Sequence, residues 1–151
     1  DDISELRKSE FDIESQGNDV QSKLDNIGKR ALHFTNEFRK KYNLRPLTWN
    51  QKICDIGKIH SQNMGQKLVP FGHQGFNERV DKYPLQPMSA AENVAMNQGV
   101  YDVAQVAVNG WIESPGHRKN LLGNFNYCGI GVYVNFNGEY YLTQLFALIS
   151  F

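Results

Sequence analysis

The sequence has no long hydrophobic run, few cysteines and no excess of either charge. None of its apolar stretches approaches the roughly eighteen residues that a membrane-spanning helix needs, so we expect any membrane attachment to come through an anchor upstream of residue 1. Sixteen Lys and Arg balance sixteen Asp and Glu. Because a nucleic-acid groove needs a concentrated basic face, this balance argues against a nucleic-acid partner.

The two cysteines, Cys54 and Cys128, are too few for the disulfide-rich scaffolds that small secreted domains use. They can form one disulfide in an oxidising compartment or remain two small buried thiols, and the sequence leaves both alternatives open. The chain must therefore depend on a hydrophobic core. A length of 151 residues with 40% apolar composition is sufficient for one such core, and we expect one folded domain.

Charge is unevenly distributed along the chain. Residues 1–26 carry eight acidic and three basic side chains, whereas the remainder carries eight acidic and thirteen basic ones. The acidic part shows no strong apolar periodicity. We therefore interpret residues 1–22 as an acidic extension or tether, able to hold a domain away from a membrane, and residues 23–151 as the folded domain.

Apolar spacings of three and four residues predict the helices. The strongest stripe predicts a helix of about twenty residues. Its members are Leu24, Ile27, Ala31, Phe34, Phe38 and Tyr42. Thr48 and Gln51 have the spacing of a capping box and predict the start of a second helix. Two further helices are predicted, a short one near residues 77–82 and another over residues 101–113.

A β-hairpin is predicted at the C-terminal end. Two β-rich runs flank Asn137-Gly138, a pair that tight turns favour. The second run is apolar on both faces, with Leu142, Phe146 and Leu148 on one and Tyr141, Leu145 and Ile149 on the other. A strand buried on both faces needs cover on both sides, so we expect helices on both faces of a sheet.

Residues 68–99 are rich in Gly, Pro and polar side chains, and we expect long loops there around the short helix. Long loops in a compact domain often carry function. A second polar stretch, IESPGHR, places Glu113 and His117 on either side of a turn. Pro115 in this turn disfavours helical geometry at Ser114.

Seven segments, in their order along the chain, resemble the CAP superfamily of cysteine-rich secretory, antigen 5 and pathogenesis-related 1 proteins. They are NEFRKKYNLRPLTWN, IHSQNM, FGHQGFNERV, AENVA, GWIESPGHRKNLL, CGIGVYV and YYLTQLFA, and the resemblance covers roughly residues 27–147. The SPGHR motif fits the bacterial SCP-domain branch best. The resemblance implies an α+β fold, a three-layer α/β/α sandwich, in an extracellular, secreted or surface-anchored protein. It also implies roles that range from sterol or fatty-acid binding to partner recognition.

The same resemblance implies a central cavity that holds a divalent metal in some members. Carried over by motif, the cavity histidines are His73 and His117, and the first cavity carboxylate is Glu92. Glu113 stands one residue before the position of the second family carboxylate, and one residue on a helix turns a side chain by about 100°. We expect His73, His117 and Glu92 to bind Zn²⁺ or another divalent cation, with water at the remaining position.

Other interpretations of these residues stay open. Glu92 and His117 can instead anchor loops by hydrogen bonds, because buried polar groups need partners. A metal-dependent hydrolase, either a protease or an esterase, is the alternative function and would use Ser89 or Ser114 beside the same cavity. The chain has neither a GxSxG elbow nor an HExxH helix. We therefore expect a binding protein, with a lipid, a sterol or a host protein as candidate partners, rather than an enzyme.

The two remaining histidines fit structural positions. His60 falls on the buried stripe of the second predicted helix, so we expect it to pack in the core. His33 lies beside Phe34 on the first helix, away from the apolar stripe, and we expect it at the surface.

Overall fold

The computed structural model describes residues 2–150, with side chains from residue 17 to residue 150. Within that range five helices and four strands follow one another. In chain order they are α1 (Asp2–Lys40), β1 (Thr48–Trp49), α2 (Gln51–Gly65), α3 (Phe76–Asp81), β2 (Ser89–Gln98), α4 (Val103–Glu113), α5 (Pro115–Leu121), β3 (Tyr127–Val134) and β4 (Glu139–Leu148).

The four strands form one mixed sheet in the order β1-β3-β4-β2. The short β1 pairs with β3 in parallel, whereas β3 and β2 flank β4 in antiparallel register. The predicted β3–β4 hairpin is confirmed, and its turn contains Gly138 with a φ of 77°. Glycine adopts this left-handed conformation without the steric cost that other residues incur, which is why Asn137-Gly138 marks the turn.

The sheet lies between two helical layers, as the two apolar faces of β4 predict. Leu142 and Phe146 join one core cluster with side chains of α1 and α4, whereas Leu145 and Ala147 join another with Ile53 of α2. Each of these four β4 side chains is fully buried. The fold is therefore α+β, arranged as a three-layer α/β/α sandwich.

Helix α2 approaches β3 so closely that only glycine fits at positions 129 and 131 of the strand. A Cβ atom on Gly129 would overlap the backbone nitrogen of Cys54, and one on Gly131 would overlap that of Lys58. This contact holds α2 directly on the sheet. Asn50 caps the helix, because its side chain accepts a hydrogen bond from the backbone nitrogen of Ile53 at 3.0 Å.

Three predictions of local structure were wrong. The first helix begins at Asp2 rather than near Leu24, and the segment before Leu24 contains no proline to interrupt the helix. Thr48 lies in β1, and Asn50 rather than Thr48 caps α2. Residues 89–98 form strand β2 instead of loop, because the polar side chains of this strand find hydrogen-bond partners across the fold.

Helix α1 runs through residues 22 and 23 without a break. The division into an extension over residues 1–22 and a domain over residues 23–151 stays a prediction. Among the helices of residues 2–150, none has the length and apolar character required to cross a membrane.

Both cysteines are free and buried. Cys54 of α2 donates a hydrogen bond to the backbone oxygen of Ile130 at 3.3 Å, and Cys128 belongs to the core cluster on the α1 side of the sheet. Burial raises the pKa of the Cys54 thiol to about 12. It raises the pKa of Cys128 as well. Both thiols therefore stay protonated and unreactive at neutral pH.

Candidate functional site

The site is built around the carboxylate of Glu92, which lies on strand β2 and is almost completely buried. Its side chain is 2% exposed. Arg79 of α3 donates to both oxygens, from Nε to Oε2 at 2.7 Å and from Nη2 to Oε1 at 2.8 Å. A bidentate arginine of this kind compensates the negative charge that burial would otherwise penalise.

His73 is held by the same carboxylate. Its Nδ1 lies 2.8 Å from Oε1 of Glu92, and the ring is about half exposed, with a side-chain exposure of 51%. Arg79 also fixes the loop that carries this histidine, by donating to the backbone oxygens of Gln74 at 2.7 Å and of His73 at 3.3 Å. A Glu92 carboxylate that accepts from Nδ1 leaves Nε2 as the free ring nitrogen of His73.

His117 lies in the first turn of α5, next to the bend that the sequence predicts. Ser114 adopts an extended conformation with φ −100° and ψ 119°, and Pro115 begins α5. His117 is partly buried. Burial lowers the pKa of its imidazole, and a positive charge on nearby His73 lowers it further. The two imidazoles are therefore electrostatic neighbours, and His117 is neutral at pH 7.

A chain of buried amides holds α5 against the sheet. Asn93 of β2 donates to the backbone oxygen of His117 at 3.3 Å and to Oε1 of Gln144 at 3.1 Å. Asn120 of α5 donates to Oδ1 of Asn93 at 3.0 Å and to the backbone oxygen of Glu92 at 3.2 Å. Gln144 continues the chain to Thr35 of α1 at 2.9 Å. His117 and Glu92 are thus fixed relative to each other.

Glu113, the remaining residue predicted for the site, lies at the end of α4 and is exposed. Across residues 17–150, no hydrogen bond or ion pair joins it to His73, Glu92 or His117. His73 and Glu92 are hydrogen-bonded to each other and His117 is an electrostatic neighbour of His73, and we call these three residues the His–Glu site. Glu113 has neither kind of contact with them among the described residues.

This sandwich and the arrangement of its motifs correspond to one family of proteins. Residues 32–146 match the sequence profile of the cysteine-rich secretory protein family, CAP. The chain belongs to the CAP family. Its resemblance to the bacterial SCP-domain branch is confirmed by a crystal structure of an extracellular SCP-domain protein from Bacillus anthracis. That protein is 29% identical, with a TM-score of 0.74 over 87% of this chain and 43% of the other.

Two relatives from Bacillus subtilis (strain 168) are also similar to this CAP chain. The uncharacterized membrane protein YlbC is 34% identical over 123 residues, which cover 78% of this chain and 33% of YlbC. The uncharacterized protein YkwD is 30% identical over 109 residues, which cover 68% of this chain and 41% of YkwD. The CAP chain thus spans about a third of one relative and two fifths of the other.

The nitrogen and oxygen atoms that the His–Glu site offers restrict how a cation can bind. No group of three His, Cys, Asp or Glu side chains in the described chain has the arrangement of a metal centre. Both oxygens of Glu92 already accept hydrogen bonds, and His117 is an electrostatic neighbour of His73. A cation at this site would therefore be held by the two imidazoles and water, with Glu92 orienting His73.

Arg79 is the site residue that the sequence analysis missed. It lies thirteen residues before Glu92 in the segment FGHQGFNERV, which carried the family resemblance but gave this arginine no role. The amides Asn93 and Asn120 were missed for the same reason. The only available signal was the charge itself, because a buried carboxylate such as Glu92 requires a cationic or hydrogen-bonding partner somewhere in the chain.

The other polar residues considered from sequence have structural positions. His60 is 3% exposed, as expected, and its Nε2 lies 2.7 Å from the backbone oxygen of Gly72, which supports the loop before His73. His33 is exposed, also as expected. In the described part of the chain, no hydrogen bond joins Ser89 or Ser114 to a histidine, so no observation favours a hydrolase.

Proposed function

We propose that this chain is an extracellular or surface-displayed CAP binding domain whose His–Glu site binds a divalent cation, Zn²⁺ being the first candidate. His73 and His117 would hold the cation through ring nitrogens, and Glu92 would orient His73. The observation that carries the proposal is the 2.8 Å contact between Nδ1 of His73 and Oε1 of Glu92. A bound cation would supply a Lewis-acidic centre at the surface of the domain.

Support comes first from the arrangement in which a fixed carboxylate contacts one ring nitrogen of His73 and leaves the other free. Metal-binding histidines commonly donate their second ring nitrogen to a carboxylate, which fixes the tautomer and raises the basicity of the ligating nitrogen. Here Arg79 and Glu92 provide that fixed acceptor from within the protein. The lowered pKa of His117 adds a neutral imidazole at pH 7, the protonation state that metal binding requires.

The extracellular part of the proposal rests on similarity. The Bacillus anthracis protein that resembles this chain is described as an extracellular protein containing an SCP domain, and YlbC is described as a membrane protein. A tether formed by residues 1–22 would suit a domain displayed at a surface. Protease accessibility of the chain on intact cells tests this part directly.

The binding proposal is tested by calorimetric titration of Zn²⁺ into the protein after exhaustive chelation. We expect one saturable site in the wild type and none in the double variant His73→Ala/His117→Ala. His33→Ala is the matched control, because it removes an exposed imidazole outside the site. Glu92→Gln should weaken binding by about ten- to a hundredfold, the usual effect of losing an orienting carboxylate.

Two results would contradict the proposal. One is the absence of saturable heat in the wild type, and the other is equal binding by the wild type and the double variant. In either case His73 and His117 would be hydrogen-bonding residues of the loops that contain them.

A further inference from the structure

Helix α2 carries a buried imidazole that the His–Glu site does not use. His60 is 3% exposed, and its Nε2 lies 2.7 Å from the backbone oxygen of Gly72. A carbonyl oxygen can only accept a hydrogen bond, so the ring proton lies on Nε2. In the neutral ring the other nitrogen, Nδ1, is therefore an acceptor with a free lone pair.

This second nitrogen has no partner in the described part of the chain. No residue there hydrogen-bonds to Nδ1 of His60, and among the fully enclosed side-chain nitrogen and oxygen atoms only Oδ1 of Asn97 lacks a partner. Nδ1 is therefore unpaired without being enclosed. His60 lines a concavity of about 250 Å³ between α2 and α3, which we call the α2–α3 pocket. We place Nδ1 at the wall of this pocket.

The α2–α3 pocket is apolar along α2 and polar elsewhere. Its apolar walls include Ile56 and Ile59 of the helix and Val69 of the following loop, and Ile59 is 58% exposed. The side chains of Asn63 and Gln74 also line it. An apolar cavity of about 150 Å³ is enough to hold a benzene ring, so the pocket has room for one aromatic ring. Concave apolar walls with a few polar atoms are typical of small-molecule sites.

The charged side chains that line the α2–α3 pocket are balanced. Glu78 and Lys82 contribute one charge of each sign. Arg79 lines the pocket as well, but its Nε and Nη2 donate to the carboxylate of Glu92. Its Nη1 donates to the backbone oxygen of Gln74. No unbalanced charge is therefore left to attract an ionic ligand.

The unpaired nitrogen also selects against a charged ligand. Burial lowers the pKa of His60, and the charge of Arg79 lowers it further, while Glu92 acts in the opposite direction. An ammonium group bonded to Nδ1 would meet the same burial and the same arginine. A carboxylate would place its own lone pairs against that of Nδ1, with Arg79 already bound to Glu92. The pocket therefore suits a neutral molecule that donates a hydrogen bond.

We propose that the α2–α3 pocket binds a small neutral aromatic molecule with a hydroxyl donor, the chemistry of a phenol. Its O–H would donate to Nδ1 of His60, and its ring would lie against Ile56, Ile59 and Val69. A donor from outside would relieve the cost of a buried acceptor without a partner. A phenol is favoured over an aliphatic alcohol because its more acidic O–H is the stronger donor. Free phenols and the tyrosine side chain of a partner peptide share this chemistry, and the test distinguishes them.

The test titrates phenol into the chelator-treated protein at about pH 8, where phenol and histidine are both neutral. The nitrogen resonance of Nδ1 of His60 reports the contact, because its chemical shift changes when the lone pair accepts a hydrogen bond. We expect saturable binding with a Kd on the order of 0.1–10 mM, the range for a molecule of this size. Anisole, which keeps the ring and lacks the donor, should bind at least about threefold more weakly. Benzoate, benzylammonium and cyclohexanol should also bind more weakly than phenol.

Matched variants separate the acceptor from the walls. His60→Gln keeps a donor for the backbone oxygen of Gly72 and removes the ring nitrogen from the pocket. Phenol binding should then weaken at least about threefold, whereas anisole binding stays unchanged. Ile59→Ala removes an exposed wall and should weaken the binding of both ligands about equally. Val106→Ala is its control, because Val106 is an exposed apolar residue of α4 that does not line the pocket.

A comparison of N-acetyl-tyrosinamide with p-cresol identifies the source of the ligand. Tighter binding of N-acetyl-tyrosinamide assigns the pocket to a tyrosine of a partner peptide. Equal or weaker binding assigns it to a free phenol.

Any of three results would overturn the proposal. These are no saturable binding of phenol up to about 20 mM, equal affinities for phenol and anisole, and an Nδ1 resonance that does not move when the pocket is saturated. His117→Ala should bind phenol like the wild type, which keeps this inference separate from the cation proposal.

Discussion

Arg79 and Glu92 form a buried, bidentate ion pair that joins α3 to the edge strand of the sheet. The two bonds measure 2.7 and 2.8 Å, and the side chains are 10% and 2% exposed. Because the same carboxylate accepts from His73, the pair determines where that imidazole lies. The position of the His73 imidazole therefore depends on Arg79, which holds the Glu92 carboxylate.

Removal of the arginine should strongly destabilise the protein. In Arg79→Met the charge of Glu92 stays buried with His73 as its one remaining side-chain partner among the described residues, and we expect a loss of about 3 kcal/mol or more in the free energy of unfolding. Urea unfolding measures this loss. Arg30→Met is the control, because the Arg30 guanidinium of the Arg30–Asp102 pair is exposed and its removal should change the free energy of unfolding much less. Equal effects of the two substitutions would contradict the role given to Arg79.

The buried amide chain should contribute to both stability and the site. Asn93→Leu removes the hydrogen-bond partner of Oε1 of Gln144 and of the backbone oxygen of His117, and one of the two acceptors of Asn120, so we expect a loss of about 2 kcal/mol in the free energy of unfolding. Zn²⁺ affinity should fall as well, since α5 is no longer fixed. Asn109→Leu, at an exposed position of α4, is the control for the added apolar side chain. A free energy of unfolding of Asn93→Leu equal to that of the wild type would show that the amide chain does not contribute to stability.

Stability should fall on acidification below about pH 6.5, the ordinary pKa of histidine. Burial lowers the pKa of His60 in the folded protein, so the unfolded chain binds more protons in the interval below pH 6.5. Protonation therefore shifts the equilibrium toward the unfolded state as the pH falls, and stability recovers as it rises. His60→Gln should reduce this slope. Melting temperatures from pH 5 to 8 in chelator-treated buffer measure it, and an identical slope in the variant would refute the assignment.

The close packing of α2 should make the glycines of β3 intolerant of any side chain. Gly131→Ala places a methyl group against the backbone of Lys58, and we expect a loss of about 2–3 kcal/mol from overpacking. Gly110→Ala is the control, because no heavy atom lies within 4 Å of its added Cβ and alanine favours the helix. In thermal unfolding, the melting temperature should fall for Gly131→Ala and rise for Gly110→Ala. A Gly131→Ala protein as stable as the wild type would mean that α2 can move away from the sheet.

Much of the architecture could be predicted from local sequence. The stripe of Leu24, Ile27 and Ala31 predicted α1, Asn137-Gly138 predicted the hairpin turn, and the two apolar faces of β4 predicted cover on both sides. Strand β2 was not predicted. Its polar residues look like loop until Asn93 and Asn97 are seen to be buried, with partners on other elements.

The sequence by itself determined the elements whose signals act between residues up to four apart, because helix periodicity, turn conformation and proline restriction are local backbone properties. The family motifs in addition named His73, Glu92 and His117. Only the tertiary structure decided which partners these residues contact. Arg79, thirteen residues from Glu92, takes up both carboxylate oxygens, because the two side chains meet only when α3 packs beside β2.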